Sequence, residues 1–234
     1  SIDDLRLRMT YGSAGNVNKN VSAYPVIVHQ GIDTGTEQDY AYVRSIGNPS
    51  LRWEQVNTIN IGVDSRLLGS RLFLVVDYYI KNANNLIGAE ILPPSSGINI
   101  GSSSERSNLV NYANLKTKGL DLQFTSVNID RPIRWTSTLL ANYVKNEVTR
   151  YTANPNIGIY DYYNISPVPI PGKSRDVLMA IPWYGLSSEN GYPIVMLDGN
   201  VSQDYTSYHN GLKLEDLVET GVRIPQFYGS IRNV

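Results

Sequence analysis

The sequence predicts an all-β fold, an antiparallel up-and-down meander of about six strands whose connections favour a transmembrane β-barrel segment over a soluble sandwich. Three observations carry this. Apolar and polar residues alternate, as in Ile59, Ile61 and Val63 against Asn60, Gly62 and Asp64, so each strand has one apolar face. The connections run long, short, long, short, very long; in a meander this collects the long loops at one end of the sheet and the tight turns at the other, as in outer-membrane barrels. Tyrosine dominates the aromatics, 17 against 3 Phe and 3 Trp, which suits a boundary between a wet zone and an apolar one, and equally a groove for sugar or peptide.

Taken in order, LRLRMTYG reads as a strand with Leu5, Leu7, Met9 and Tyr11 on one side and Arg6, Arg8 and Thr10 on the other. From Ser13 to Asn48 the rhythm fades and a long loop is expected, of a length that compact domains keep for function. A hairpin follows over Asn57 to Asn82, turning around Leu67 to Ser70, with Leu72, Leu74, Val76, Tyr78 and Ile80 on the apolar side of its second strand. The turn-rich stretch after Lys81, with Pro93, Pro94, Gly97 and Gly101, predicts a second long loop. KGLDLQFTSVN and IRWTSTLLANYVKNEV are the next two strands, joined by the short NIDRP. Trp135 and Tyr143 lie about 27 Å apart along the latter, the spacing of two aromatic girdles around an apolar band. Thr149 to Ile224 is irregular, with a short helix expected at KLEDLVETG, and PQFYGSIRNV begins a last strand. Known transmembrane barrels need at least about eight strands to close. The meander is therefore expected to be incomplete and open, with raw edges at Leu5 to Tyr11 and near Phe227 to Asn233, and to aggregate when isolated in water.

The composition excludes more than it names. A net charge of −1 signals no nucleic-acid partner. The absence of cysteine removes disulfides, thiolate metal sites and cysteine nucleophiles. His29 and His209 alone cannot furnish a histidine metal site, and each reads as a loop residue, so no metal or cofactor is expected. No run approaches 18 apolar residues, so no transmembrane helix is predicted, and SIDDLRLRMTYG has no leader character. YGSAG lacks the spacing of a nucleophile elbow, and counting from Asp198 puts His209 where a calcium loop needs Glu; no enzyme is expected. The sequons at Asn20, Asn164 and Asn200 read as incidental.

Five ordered blocks then point to a family. GNPSLRWEQVNTINIGVDSRLLGSRLFLVVDYYIKNANNLI resembles the "GNP-x-L-x-WE … NIG-x-D … R-x … DYY-x-K … L" pattern in the barrel of SusC/RagA-type TonB-dependent transporters. LRLRMTYGSAGN is similar to that family's "LKLR-x-SYG-x-TGN", and LPPSSGINIGSSSERSNLVNYANLKTKGLDLQF to its "LP-x-x-x-G … N-x-G-x-x-x-NKG-x-E". IPWYGLSSENGYPIVMLDGNVSQDY and LEDLVETGVRIPQFYGSIRN resemble the segment before a late barrel strand. Departures are small: Leu120-Asp121 replaces "VE" or "LE", and Asn114 to Gly119 loosely replaces "NKG".

The resemblance implies that residues 1–234 are part of the C-terminal portion of such a barrel, with signal peptide, plug and final strands outside this chain. It further implies an importer of nutrient oligomers, glycan or oligopeptide, in the outer membrane of a Gram-negative, Bacteroidota-like bacterium. A SusD-like surface lipoprotein would act as lid, and TonB would act through the plug. Tyr160, Tyr162, Tyr163, Trp183 and Tyr184 are the candidate cargo or lid contacts, since flat rings stack on sugars and pack on peptides; ordinary loop packing is the bland alternative. By alternation, Arg6, Arg8, Asn60 and Asp64 are expected to face the lumen from the early strands, and Asp77 and Lys81 from the next. Asp121, Gln123, Arg134 and Asn142 continue that face. The competing reading, a secreted β-sandwich that binds carbohydrate, requires the apolar faces to pack on one another.

Overall fold

The computed structural model describes residues 1–16, 24–90, 108–152, 157–164 and 168–234. The Pro- and Gly-rich centre of the second expected loop, at 91–107, and the sequon at Asn20 lie outside the described residues. One six-stranded sheet dominates, in the order β1 (Ile2–Asn16), β4 (Glu54–Leu67), β5 (Leu72–Glu90), β6 (Asn108–Ile129), β7 (Trp135–Tyr151) and β12 (Phe227–Asn233). Every neighbouring pair is antiparallel, and the sheet is open, with β1 and β12 as its edges. Both edges fall where the sequence puts them.

The tight turn between β4 and β5 is built from Leu68, Gly69 and Ser70, all at φ between 56° and 63°. Glycine carries that conformation freely, whereas Leu68 and Ser70 take it at a steric cost. Asp3 offsets part of that cost by accepting a hydrogen bond from the Ser70 amide at 2.7 Å. At the opposite end the strands run well past the alternating segments. β5 continues to Glu90 and β6 begins at Asn108, so most of the described residues after Lys81, expected as loop, are ladder. Asparagines disfavour an isolated strand, but here the partner strand satisfies their backbone. The register shift at Ala83 to Leu86, with Asn85 at φ 58°, absorbs the misfit as a bulge.

The first expected loop also holds structure: β1 extends through Asn16, and β2 (Val26–Ile32) pairs with β3 (Asp39–Ser45) as a separate hairpin. The long irregular segment contains a short helix α1 (Tyr160–Tyr163) and two small two-stranded sheets. One pairs β8 (Val177–Ala180) with β11 (Val218–Val222), the other β9 (Val195–Leu197) with β10 (Asn200–Ser202). The helix expected at KLEDLVETG is not there. Asp216 accepts from the Lys213 amide at 2.8 Å and closes a single 3-10 turn over Leu214–Asp216, after which the β-branched Val218 and Val222 join the ladder with β8, Thr220 standing at the bulge between Glu219 and Gly221. A second helix, α2 (Tyr205–Gly211), lies just before this turn and is capped by Asp204.

The buried apolar residues, Ala113, Val148, Ile170, Val177, Val195, Leu212 and Leu217, sit at the loop end of the sheet and in the loop units. No described element packs in bulk over the apolar face of the main sheet, where Leu7 is 75 % and Ile231 74 % exposed. That arrangement is the opposite of a sandwich, whose strands hide the same residues in a dry core.

Candidate functional site

The face opposite the apolar one is polar and internally paired. The register sets Arg8, Gly62, Asp77, Asp121, Asn142 and Tyr228 in one row across all six strands. Arg8 grips Asp64 with two hydrogen bonds, Nε to Oδ2 at 2.9 Å and Nη2 to Oδ1 at 2.8 Å, and reaches Asp77 Oδ2 at 3.0 Å. Asp77 lies two strands away from Arg8, and the guanidinium passes over the intervening β4 at Gly62. A Cβ on that glycine would stand 2.8 Å from Arg8 Nη2 and 2.5 Å from Asp77 Oδ1. Glycine in mid-strand normally weakens a sheet; here the missing side chain is the opening through which the ion pair forms. Asn60 donates to Asp77 Oδ1 at 3.3 Å, while its own Oδ1 is buried with no partner.

A second vacancy of this kind is filled from the neighbouring strand. Tyr79 stands opposite Gly119, and its ring occupies the space a Cβ there would take. Lys81 Nζ lies 4.8 Å from the centre of the same ring, a cation–π contact. The ten residues expected on this face thus do not form one cluster. Arg8, Asn60, Asp64 and Asp77 form the bonded group, with Asp121 and Asn142 following in register. Arg6 sits opposite Asp64, and Gln123 between Val75 and Leu140. Lys81 lies toward the loop end, and Arg134 lies at the tight-turn end beside Thr136, Thr138 and Arg232. Gly62, Gly119, Tyr79 and the Arg66–Asp4 pair at 3.3 Å complete the face and were not singled out; glycines inside an alternating strand were the available signal.

At the loop end, the GNPSLRWE stretch before β4 is stitched to the β5–β6 ladder. Asn48 donates to the Leu109 carbonyl at 3.1 Å. Asn111 accepts from the Arg52 amide at 2.8 Å and donates to the carbonyls of Arg52 and Asn85, each at 2.7 Å. Glu54 accepts from the Asn16 side chain at 2.8 Å and from the Ile87 amide at 2.9 Å. Arg52, Glu54, Asn48 and Asn111 thereby fix where the chain enters the wall. Asn111 escaped sequence reasoning because it lies in a stretch that looks like loop.

The aromatic candidates divide. Tyr160 and Tyr163 meet edge to face at 5.4 Å, and Tyr163 packs at 6.3 Å on His209, its hydroxyl 3.2 Å from Nδ1. Burial raises the Tyr163 phenol above its ordinary value, with Tyr160 adding to it. Tyr208, next to His209 on α2, is raised by burial and by nearby Tyr184. Tyr162 is close enough to affect Tyr151, which in turn stacks edge-on against Tyr112 at 5.7 Å. Two tyrosine groups therefore form, one centred on α1 and α2 and one at the top of β6 and β7. Trp183 joins neither through a described ring contact and is 69 % exposed. Among the described residues no group of acidic or histidine side chains could hold a metal ion.

Comparison with known proteins agrees with this architecture. The family model "TonB dependent receptor-like, beta-barrel" matches residues 1–214. "TonB-dependent receptor P26" of Formosa agariphila is 27 % identical over 148 residues, which is 62 % of this chain and 14 % of that protein. "TonB-dependent receptor SusC" of Bacteroides thetaiotaomicron is 24 % identical over 169 residues, 69 % of this chain and 16 % of that protein. The chain therefore spans about a sixth or less of the length of these relatives. Among solved structures, the "RagAB peptide importer in the 'open-open' state" superposes with a TM-score of 0.72 at 19 % identity, over 99 % of this chain and 24 % of that one. An uncovered apolar face, a paired polar face, an open antiparallel sheet and a family match over nearly the whole sequence lead to one conclusion: the chain belongs to the TonB-dependent receptor-like β-barrel family and forms an incomplete segment of its barrel.

Proposed function

We propose that this chain is part of the wall of an outer-membrane importer of nutrient oligomers, working with a SusD-like surface lipoprotein and driven by TonB acting on a plug elsewhere in the longer protein. The observation that carries this reading is the two-sidedness of the main sheet: on one side exposed Leu, Ile and Val rows, on the other the Arg8–Asp64–Asp77 group. In a barrel the first side meets lipid and the second a watery lumen. Arg6, Arg8, Asn60, Asp64, Asp77, Lys81, Asp121, Gln123, Arg134 and Asn142 then line that lumen as solvated or paired groups. No catalytic step is assigned to any of them. The relatives in Formosa and Bacteroides support a Bacteroidota-like host, and the structural likeness to a peptide importer supports oligopeptide as one cargo class, beside the glycan that the family resemblance of the sequence implies.

In this reading the long connections face outward, so Tyr160, Tyr162, Tyr163, Trp183 and Tyr184 are the rings that meet cargo or lid. The test is uptake by the full-length protein in its native host. Deleting it should abolish growth on one oligomeric nutrient while growth on the monomer continues, and a lipoprotein encoded beside it should copurify with it. Unchanged growth on every oligosaccharide and peptide tried would reject the importer. Replacing Trp183 and Tyr184 together by alanine should weaken cargo or lid binding by about 1–3 kcal/mol, at roughly 0.5–1.5 kcal/mol per ring, read by calorimetry on the purified complex.

A further inference from the structure

The apolar face ends in a charged pair that its own register makes unfavourable. Along β5 the face runs Leu72, Leu74, Val76, Tyr78, Ile80, a height of about 27 Å. Toward its loop end lies a row of Met9, Ile61, Tyr78, Leu120, Tyr143 and Phe227, with three aromatic rings. The next row on the same face is Tyr11, Ile59, Ile80, Lys118 and Lys145. Lys118 and Lys145 are direct cross-strand partners, and both are exposed. One row further out, Lys116 faces Glu147, so three lysines share the patch with one carboxylate. None of these four side chains has a hydrogen bond or ion pair with a described residue.

Like charges set directly opposite in an antiparallel ladder repel one another, and such a pair is tolerated where an anion lies between them. The position says which anion. These lysines stand on the face proposed to meet lipid, one row beyond an aromatic band, where a long side chain keeps its stem on the apolar surface and lifts its ammonium into the headgroup layer. Lys118 is flanked by Ile80 of β5, and on the other side β12 pairs with β7 as far as Tyr143, two residues before Lys145, with the Gln226 carbonyl accepting from the Val144 amide between them.

We infer that Lys118 and Lys145, with Lys116, form a binding site for the phosphate of a lipid headgroup in the outer leaflet, holding one phosphorylated lipid against β6 and β7. The inference rests on the membrane placement proposed above. It is tested on the full-length protein purified from outer membranes in detergent, by native mass spectrometry with lipid A, with the same lipid dephosphorylated, and with inorganic phosphate. The wild type should retain phosphorylated lipid A. Lys118→Gln with Lys145→Gln should bind it roughly 25-fold more weakly, at about fivefold per lysine, while Lys118→Arg with Lys145→Arg keeps it. Equal binding by wild type and the glutamine variant, or equal binding of the dephosphorylated lipid, would overturn the site. Displacement of the lipid by millimolar inorganic phosphate would replace it with a soluble-anion site. A spin label at Leu122, in the middle of the apolar face, separates this from failure of the membrane placement: oxygen broadening places the belt in lipid whatever the lysines bind, and a water-exposed label overturns placement and lipid site together.

Discussion

Gly62 shows how one missing side chain arranges three strands. The Arg8 guanidinium bonds Asp64 on its neighbour strand and Asp77 on the strand beyond, and only a bare Cα leaves the passage. The atoms a new Cβ would meet are the far ends of flexible side chains, so Gly62→Ala should keep the ladder and part Arg8 from Asp77. A double-mutant cycle between Arg8→Gln and Asp77→Asn, read by thermal unfolding of the detergent-solubilised protein, should give a coupling energy that vanishes in the Gly62→Ala background. Persistence of the coupling would show that the guanidinium has another route. In the loops, Asp204 caps α2: its carboxylate accepts from the Ser207 hydroxyl at 2.6 Å and the Ser207 amide at 3.0 Å, which hold it below its ordinary 3.8. Because the folded value is lowered, the cap's contribution is complete above the unfolded value and is lost as pH falls through the folded one. Amide exchange in Tyr205–Gly211 should accelerate, relative to intrinsic rates, only on acidification below the ordinary carboxylate range, and Asp204→Ala should bring that fraying to neutral pH. The polar alternation that marked Arg8 and Asp64 was visible in the sequence; the bond between Arg8 and Asp77 was not, because it depends on register between strands 69 residues apart in sequence.

At the scale of elements, the six ladder strands were legible because period-two alternation is a local property of a half-exposed strand. Their lengths were not. Residues 82–90 and 108–117 are Asn-rich and carry no alternation, yet they form a ladder, because each strand supplies the other's backbone partners regardless of side chain. The same limit hid the β2–β3 hairpin, whose cross-strand His29–Asp39 approach at 3.6 Å lies in a stretch read as loop. At KLEDLVETG the spacing of Leu214, Leu217 and Val218 fits a helix, but Leu217 is buried and Val218–Val222 finds a strand to pair with, so tertiary pairing overrides the local period. Asn111 gives the clearest test of an element held by side chains. Asn111→Ala removes three hydrogen bonds to the GNPSLRWE stretch and β5, and should destabilise that attachment by about 1–3 kcal/mol. Limited proteolysis should then nick residues 47–53 while the β4–β5 ladder stays protected; equal resistance in the variant would assign the attachment to other bonds.

For the whole molecule, what the sheet does not cover matters most. Leu5, Leu7 and Met9 at one edge and Phe227 and Ile231 at the other stand more than half exposed, and both edge strands present unpaired backbone. The 234-residue chain refolded alone in water should scatter light and sediment, and detergent should suppress this by masking the apolar rows. A clear monomeric solution without detergent would contradict the barrel assignment of those rows. The family could be read from sequence because its motifs fall at joints: the GNP…WE block is the stitched entry to β4, and DYY-x-K carries Asp77, Tyr79 and Lys81 of the polar face. Cargo could not be read, since the candidate rings around α1 and α2 gain their arrangement from loops with no periodic pattern.

The reach of Arg8 across β4 has a mechanical side. A ladder tied only between neighbours can crease along any strand, as a folding screen does at its hinges. A charge fastened to the next strand and to the one after it braces that crease, so a tug on the contents of the pore would be resisted by three staves together.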